Sequence, residues 1–172
     1  AEFDLTPHLR PGANTLSVMV VRWSDGTWIE DQDHWFMAGL HREVYLYATA
    51  PTYLSDLRVR AELDQDLEDG LLGIRAELGG DIEAENPARL QLELFDPRGK
   101  SVFRKPRVVE FAVPGNPYLF QGRFADHIEE LKKPKPWSSE TPHLYTLIAS
   151  LINADGSFIE STSIRIGFRR IE

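Results

Sequence analysis

Cysteine is absent from these 172 residues, which excludes disulfides, thiolate metal sites and a cysteine nucleophile at once. The absence fits a reducing compartment, and the cytoplasm is the expected one. A periplasmic protein can also do without cysteine, so the periplasm stays as the alternative. No apolar run approaches the roughly 20 residues of a membrane helix and no signal peptide is present, so no membrane partner is expected. Cationic side chains are in the minority, 19 Lys and Arg against 27 Asp and Glu, for a net charge of −8. That balance argues against a nucleic-acid partner, whose grip rests on clustered Lys and Arg. The one basic run, Lys132-Lys133-Pro134-Lys135, is short and broken by proline, and is expected to be a solvated linker. His8, His34, His41, His127 and His143 are scattered, with neither H-x-x-x-H nor H-E-x-x-H spacing, so a zinc site is not expected. A serine elbow and a phosphate-cradling glycine loop are also missing. The chain starts at Ala1 without an initiator methionine, and is expected to be a piece of something longer.

Helix signal is nearly absent as well. Thr6 is placed to cap one turn that Pro11-Gly12 ends, and Asp126 to Lys132 could form another. What fills the chain is alternation. Leu16, Val18 and Val20 share one face of a run from Thr15 to Trp23, and Glu43 to Tyr47 alternates as a returning strand. Beyond Pro51 the alternating sets are Leu57-Val59-Ala61-Leu63, Leu72-Ile74-Ala76-Leu78 and Leu90-Leu92-Leu94. Weaker segments follow at Val102-Phe103, Val108 to Val113 and Tyr118 to Ala125. Then come Tyr145-Leu147-Ala149-Leu151 and a return strand through Phe158, Ile164, Ile166 and Phe168. Between them lie Asp69-Gly70, Asp96-Pro97-Arg98-Gly99 and Asp155-Gly156, whose turn chemistry is specific. Six to seven short strands at this spacing predict an all-β, immunoglobulin-like β-sandwich over residues 51–168. Two long strands alone are marginal in water. Residues 1–50 are therefore expected to be the C-terminal strands of a larger jelly-roll β-sandwich. Trp137 and Tyr145 are expected in the core or at a domain junction, the tyrosine as a strand-corner hydrogen-bonder.

Between the two N-terminal strands lies a stretch too long for a hairpin turn, from Ser24 to His41, rich in tryptophan and carboxylate. Aromatic content argues against disorder, so an ordered functional loop is expected. Aromatic faces beside carboxylates and an amide suit a sugar, whose C–H faces stack on rings while its hydroxyls hydrogen-bond; tryptophans in a core and carboxylates at turns explain the same composition. Asp31 and Asp33, two apart, share one side of an extended segment while Gln32 faces away. Such a local pair is a poor glycosidase dyad, whose carboxyls come from separate strands. A hard cation is the better match, although two aspartates fall short of the six or more oxygens calcium takes. His34 is read as a loop-packing histidine.

The run Glu30-Asp31-Gln32-Asp33-His34-Trp35, followed by Met37-Ala38-Gly39 and Arg42-Glu43-Val44, resembles the signature of β-galactosidases of glycoside hydrolase family 2. Further resemblance lies in Phe3-Asp4-Leu5-Thr6-Pro7, Pro11 to Leu16, Pro136 to Tyr145 and Gly167-Phe168-Arg169. The middle of the chain, about residues 54–130, matches in strand pattern more than in residues. The resemblance implies a jelly-roll sugar-binding domain ending at residue 50, a sandwich domain over 51–168, and a link at 169–172 to a (β/α)8 barrel that this chain lacks. It implies a parent enzyme that hydrolyses terminal β-galactosides with retention, its acid and nucleophile glutamates on the barrel, so that no residue here is catalytic. Asp33 falls on the position that touches both a sodium ion and a galactose hydroxyl, and Trp35 supports it. Sodium and magnesium are the cofactors implied for the parent, with none expected tightly bound here. The expected partners are a galactoside, the barrel, the earlier jelly-roll strands and further copies of the chain. His34, Phe36, Ala38 and His41 depart from the common motif and bear on the sugar preferred. A stand-alone carbohydrate-binding or docking module is the alternative of another class. β-Glucuronidase and β-mannosidase are the alternative specificities within the family, against which the Asp31-Gln32-Asp33 signature argues.

Overall fold

A computed structural model of the chain describes residues 2–29, 38–82, 87–112 and 123–171. The chain divides into two compact units, Ala1–Tyr47 and Ala48–Glu172.

The second unit is a β-sandwich. Strands β1 (Thr52–Leu63), β2 (Gly70–Gly80) and β5 (Phe124–Leu131) form one antiparallel sheet in the order β1-β2-β5. Strands β3 (Arg89–Phe95), β4 (Arg107–Glu110), β6 (Tyr145–Ile152) and β7 (Phe158–Ile166) form the other, in the order β4-β3-β6-β7. The alternation seen in sequence is the inward face: Leu72, Ala76, Leu90, Leu92, Leu94, Leu147, Ala149 and Leu151 are sealed from solvent. Registers such as Leu92 opposite Ala149 and Ala76 opposite Ala125 align these faces, and Phe103, Phe111 and Phe168 complete the core. A one-residue slip would turn each of these sets to water, so burial fixes the register.

The turns close as their residues dictate. Asp96 Oδ1 accepts hydrogen bonds from Arg98 N and Lys100 N at 2.8 and 2.9 Å, and Gly99 takes the positive φ of +78° that its position requires. Asp155 Oδ1 likewise accepts from Ser157 N at 2.8 Å in the β6–β7 hairpin. Tyr145 is buried, edge-on to Phe168 at 5.2 Å, and its hydroxyl accepts a hydrogen bond from Lys135 N at 2.9 Å. The strand-corner role expected of it is therefore observed.

Three local expectations need correction. Residues 126–132 make no helical turn: Phe124–Leu131 is β5, paired with β2 along its length. The lysines of the basic run are exposed as expected, but the run is also anchored: Pro134 is buried and Lys132 Nζ lies 2.7 Å from Asp69 Oδ2. Val102-Phe103 forms no strand; Phe103 is instead a buried core residue.

Among its described residues the first unit contains a single 3-10 turn, Thr6–His8, and one short helix, α1 (Asp25–Ile29). Thr6 is the turn's first residue and not its cap: the cap position is Leu5, without a side-chain capping bond, and Asp4 Oδ1 just ahead of it accepts from Thr6 N at 2.9 Å. Thr15 to Trp23 and Glu43 to Ala48 join no β-ladder among the described residues. Their apolar side chains stand in solvent, Val18 at 54% and Leu46 at 71% of full exposure. Alternation alone does not make a strand, because a ladder needs a partner for its backbone groups.

Candidate functional site

The predicted sugar and cation residues Asp33 and Trp35, with Asp31, Gln32 and His34, lie outside the described residues. The approach to them is described. Trp23 and Trp28 stack with ring centres 6.0 Å apart and planes 18° from parallel, and the Arg22 guanidinium lies 4.9 Å from the Trp23 ring centre. Helix α1 starts on a local device: Ser24 N donates to Thr27 Oγ1 and Thr27 N donates to Ser24 O, both at 3.0 Å. Ser24 and Thr27 thus satisfy each other's backbone N–H groups at the start of the helix. On the far side Gly39 takes φ +119° and is followed by exposed Leu40 and His41. Trp23 and Trp28 thus form a stacked aromatic pair that precedes the acidic motif in sequence.

The second unit holds one polar cluster that the sequence did not advertise. His127 and Glu129 lie on the inward face of β5, two apart, at a place where an apolar residue would be expected. Arg107 reaches across from β4, in the other sheet, and donates from Nε and Nη2 to the two Glu129 oxygens at 3.1 and 2.7 Å. His127 Nε2 sits 3.0 Å from Glu129 Oε2, and the Phe103 ring lies under the guanidinium at 4.9 Å. Arg107 holds the Glu129 carboxyl below its usual range against the opposing effect of burial, and His127 adds to that pull. A bidentate pair between sheets of this kind ties them together and engages both Glu129 oxygens. The clue in sequence was the i, i+2 placement of His127 and Glu129 between Ala125 and Leu131.

Among the described residues no three His, Asp or Glu side chains gather as a metal site. Trp137 is half-buried, outside the core cluster, with the Arg169 guanidinium 5.2 Å from its ring centre.

What the folded part defines is a disulfide-free β-sandwich scaffold, joined to a unit carrying an aromatic shelf before an acidic motif. The comparisons name the class. Residues 52–169 match the family model described as "Glycosyl hydrolases family 2", and residues 1–50 match "Glycosyl hydrolases family 2, sugar binding domain". The chain belongs to glycosyl hydrolases family 2. It is similar along its whole length to a β-galactosidase of Priestia megaterium, 40% identical over 173 residues, and to one of Photobacterium profundum, 36% identical over 176. In both cases it spans 16% of the relative's length. Among solved structures, the apo β-glucuronidase 3 of Bacteroides uniformis aligns over 69% of this chain and 12% of its own, with 25% identity and a TM-score of 0.52.

Proposed function

We propose that this chain is a non-catalytic portion of a β-galactosidase that hydrolyses terminal β-D-galactosides with retention. Its contribution is positioning: Asp33 meets a galactose hydroxyl and a sodium ion, Trp35 supports it, and the β-sandwich is scaffold. The observation that carries this proposal is an identity of 34–40% to β-galactosidases over the whole of the chain, the acidic motif included. Retaining hydrolysis needs an acid and a nucleophile some 5–5.5 Å apart, and the proposal puts both in the remainder of the parent. Sugar contacts alone do not lower the barrier to bond cleavage.

The test is a pair of assays on nitrophenyl β-galactoside, one with the pure chain and one with a longer parent protein carrying it. The chain alone should show no turnover, and the parent should release β-galactose first. Turnover by the chain alone, or an inverted product from the parent, overturns the proposal. The likeness to a β-glucuronidase structure favours a second reading, in which the parent's sugar is a glucuronide. The same parent offered nitrophenyl β-glucuronide decides between them, with galactoside expected to be the faster substrate.

A further inference from the structure

The second unit carries a groove of ≈ 940 Å³ along one open side of its sandwich, between β1 and β7. Among the described residues four arginines line it, Arg60, Arg165, Arg169 and Arg170, against one carboxylate, Glu62. In a chain with a net charge of −8 this is a local inversion of sign. Arg60 has that carboxylate as a partner, at 2.7 Å. Arg169 is held by cation–π contact over Trp137, which forms part of the lining, and stacking leaves the planar fork of a guanidinium able to take a carboxylate. Arg165 stands exposed on β7 between Ile164 and Ile166.

The backbone supplies the second half of the observation. Strands β1 and β7 are the outermost strands of their two sheets. The outer edge of β1 is partly occupied: Arg169 N donates to Ala61 O at 3.3 Å, and Glu62 bridges Arg169 in parallel. Leu54 N donates to Glu160 Oε1 at 2.5 Å, beside the bulge between Leu54 and Asp56. The outer edge of β7 from Ile164 to Ile166 pairs with no strand among the described residues. An unpaired strand edge is a template for another strand.

We propose that this groove receives an extended, acidic peptide segment of a partner polypeptide, which adds as a strand to the free edge of β7. Alternate side chains of an added strand face opposite ways, so carboxylates at every second position reach Arg165 and Arg169 while their neighbours meet Ile164 and Trp137. Backbone pairing provides affinity, and the arginines select the sign of the partner. A nucleic acid fits less well, since its phosphates carry no strand-like donors and meet a chain of net negative charge. This assignment does not depend on the proposed glycosidase role.

The experiment uses the whole chain and a fluorescein-labelled, capped peptide of alternating glutamate and valine, followed by anisotropy. The expected result is saturable binding that weakens as salt rises. Binding should drop about tenfold or more for Arg165→Glu, an exposed position, and for Arg169→Ala. N-methylation of the peptide's pairing amides should abolish binding. A lysine–valine peptide should not bind. The proposal is overturned if the acidic peptide fails to bind the folded chain. It is equally overturned if binding survives Arg165→Glu or N-methylation, or if a single-stranded oligonucleotide binds more tightly. A circular dichroism melt of Arg165→Glu matching the parent chain confirms that the comparison is made on folded protein.

Discussion

At the scale of single residues, the carboxylates of this chain divide by what they face. Asp33 is proposed to work on a substrate, Asp31 on its own loop. An amide can accept a sugar hydroxyl but satisfies a cation poorly. In a parent enzyme Asp33→Asn should therefore lower kcat/KM by one to two powers of ten, corresponding to about 1.5–3 kcal/mol for one charged hydrogen bond. It should also flatten the response to sodium, while Asp31→Asn acts through melting temperature. Wild-type kinetics and sodium response in Asp33→Asn would refute the division. Glu129 faces protein instead. Its folded pKa is depressed from 4.5, chiefly by the hydrogen bonds from Arg107. A depressed carboxyl contributes stability that is present above the unfolded pKa and disappears as pH falls through the folded one. Both partners keep some solvent contact, with Arg107 the more exposed, so screening limits the pair to about 1 kcal/mol. Glu129→Gln should accordingly lower the melting temperature at neutral pH by a few degrees. The gap from wild type should close on acidification below about pH 4.5. A gap independent of pH would show that Glu129 acts by packing alone.

At the scale of elements, the legible part of the fold was the part whose inward face is aliphatic. Leu90-Leu92-Leu94 and Leu72 to Leu78 could be read because every second residue is apolar and the turns beside them are chemically specific. Strand β5 was misread because its inward face presents His127 and Glu129, and the arginine that makes them acceptable there lies on β4. No pattern local to residues 124–131 contains that partner. The same limit applies in reverse to Thr15 to Trp23, where alternation is clear and no ladder forms among the described residues. Strand ends bring their own constraint. Gly80 ends β2 at φ +76°, and a Cβ there would lie 1.9 Å from Pro51 O, the carbonyl that accepts from Asp81 N. Gly99 has nearly the same φ, +78°, with open space around it. Gly99→Ala should cost about 1 kcal/mol for the backbone conformation alone. Gly80→Ala should cost more than about 2 kcal/mol, because backbone has to move as well. Urea midpoints of the two variants measure the difference, and equal losses would mean the strand end yields without resistance.

At the scale of the whole molecule, the two units differ in what their apolar residues do. In Ala48–Glu172 aliphatic side chains meet each other across two sheets, and backbone groups are paired along seven strands. In Ala1–Tyr47 comparable residues, Leu16, Val18, Met19, Val20 and Val21, remain exposed, and their amides donate no hydrogen bond among the described residues. Stability is local where contacts are local, so the two regions should respond differently to the same kind of change. Leu92 is fully buried and opposes Ala149 in the sheet; Leu92→Ala should cost about 2–5 kcal/mol in the unfolding transition. Val18→Ser removes a residue that is already wet, and should stay within about 0.5 kcal/mol of the parent chain. Hydrogen exchange should follow the same division, with amides of Leu72 to Leu78 protected up to global unfolding and those of Leu16 to Val21 exchanging near the free-peptide rate. The exposed run is also uncharged, β-prone and free of proline, which favours pairing between copies. Raising the chain concentration should therefore slow exchange at Leu16 to Val21 as oligomers form in sedimentation, with Val18→Ser reducing both effects. Full protection of Leu16 to Val21 in a dilute, strictly monomeric sample would refute the expectation, because it would require a pairing partner within the same chain.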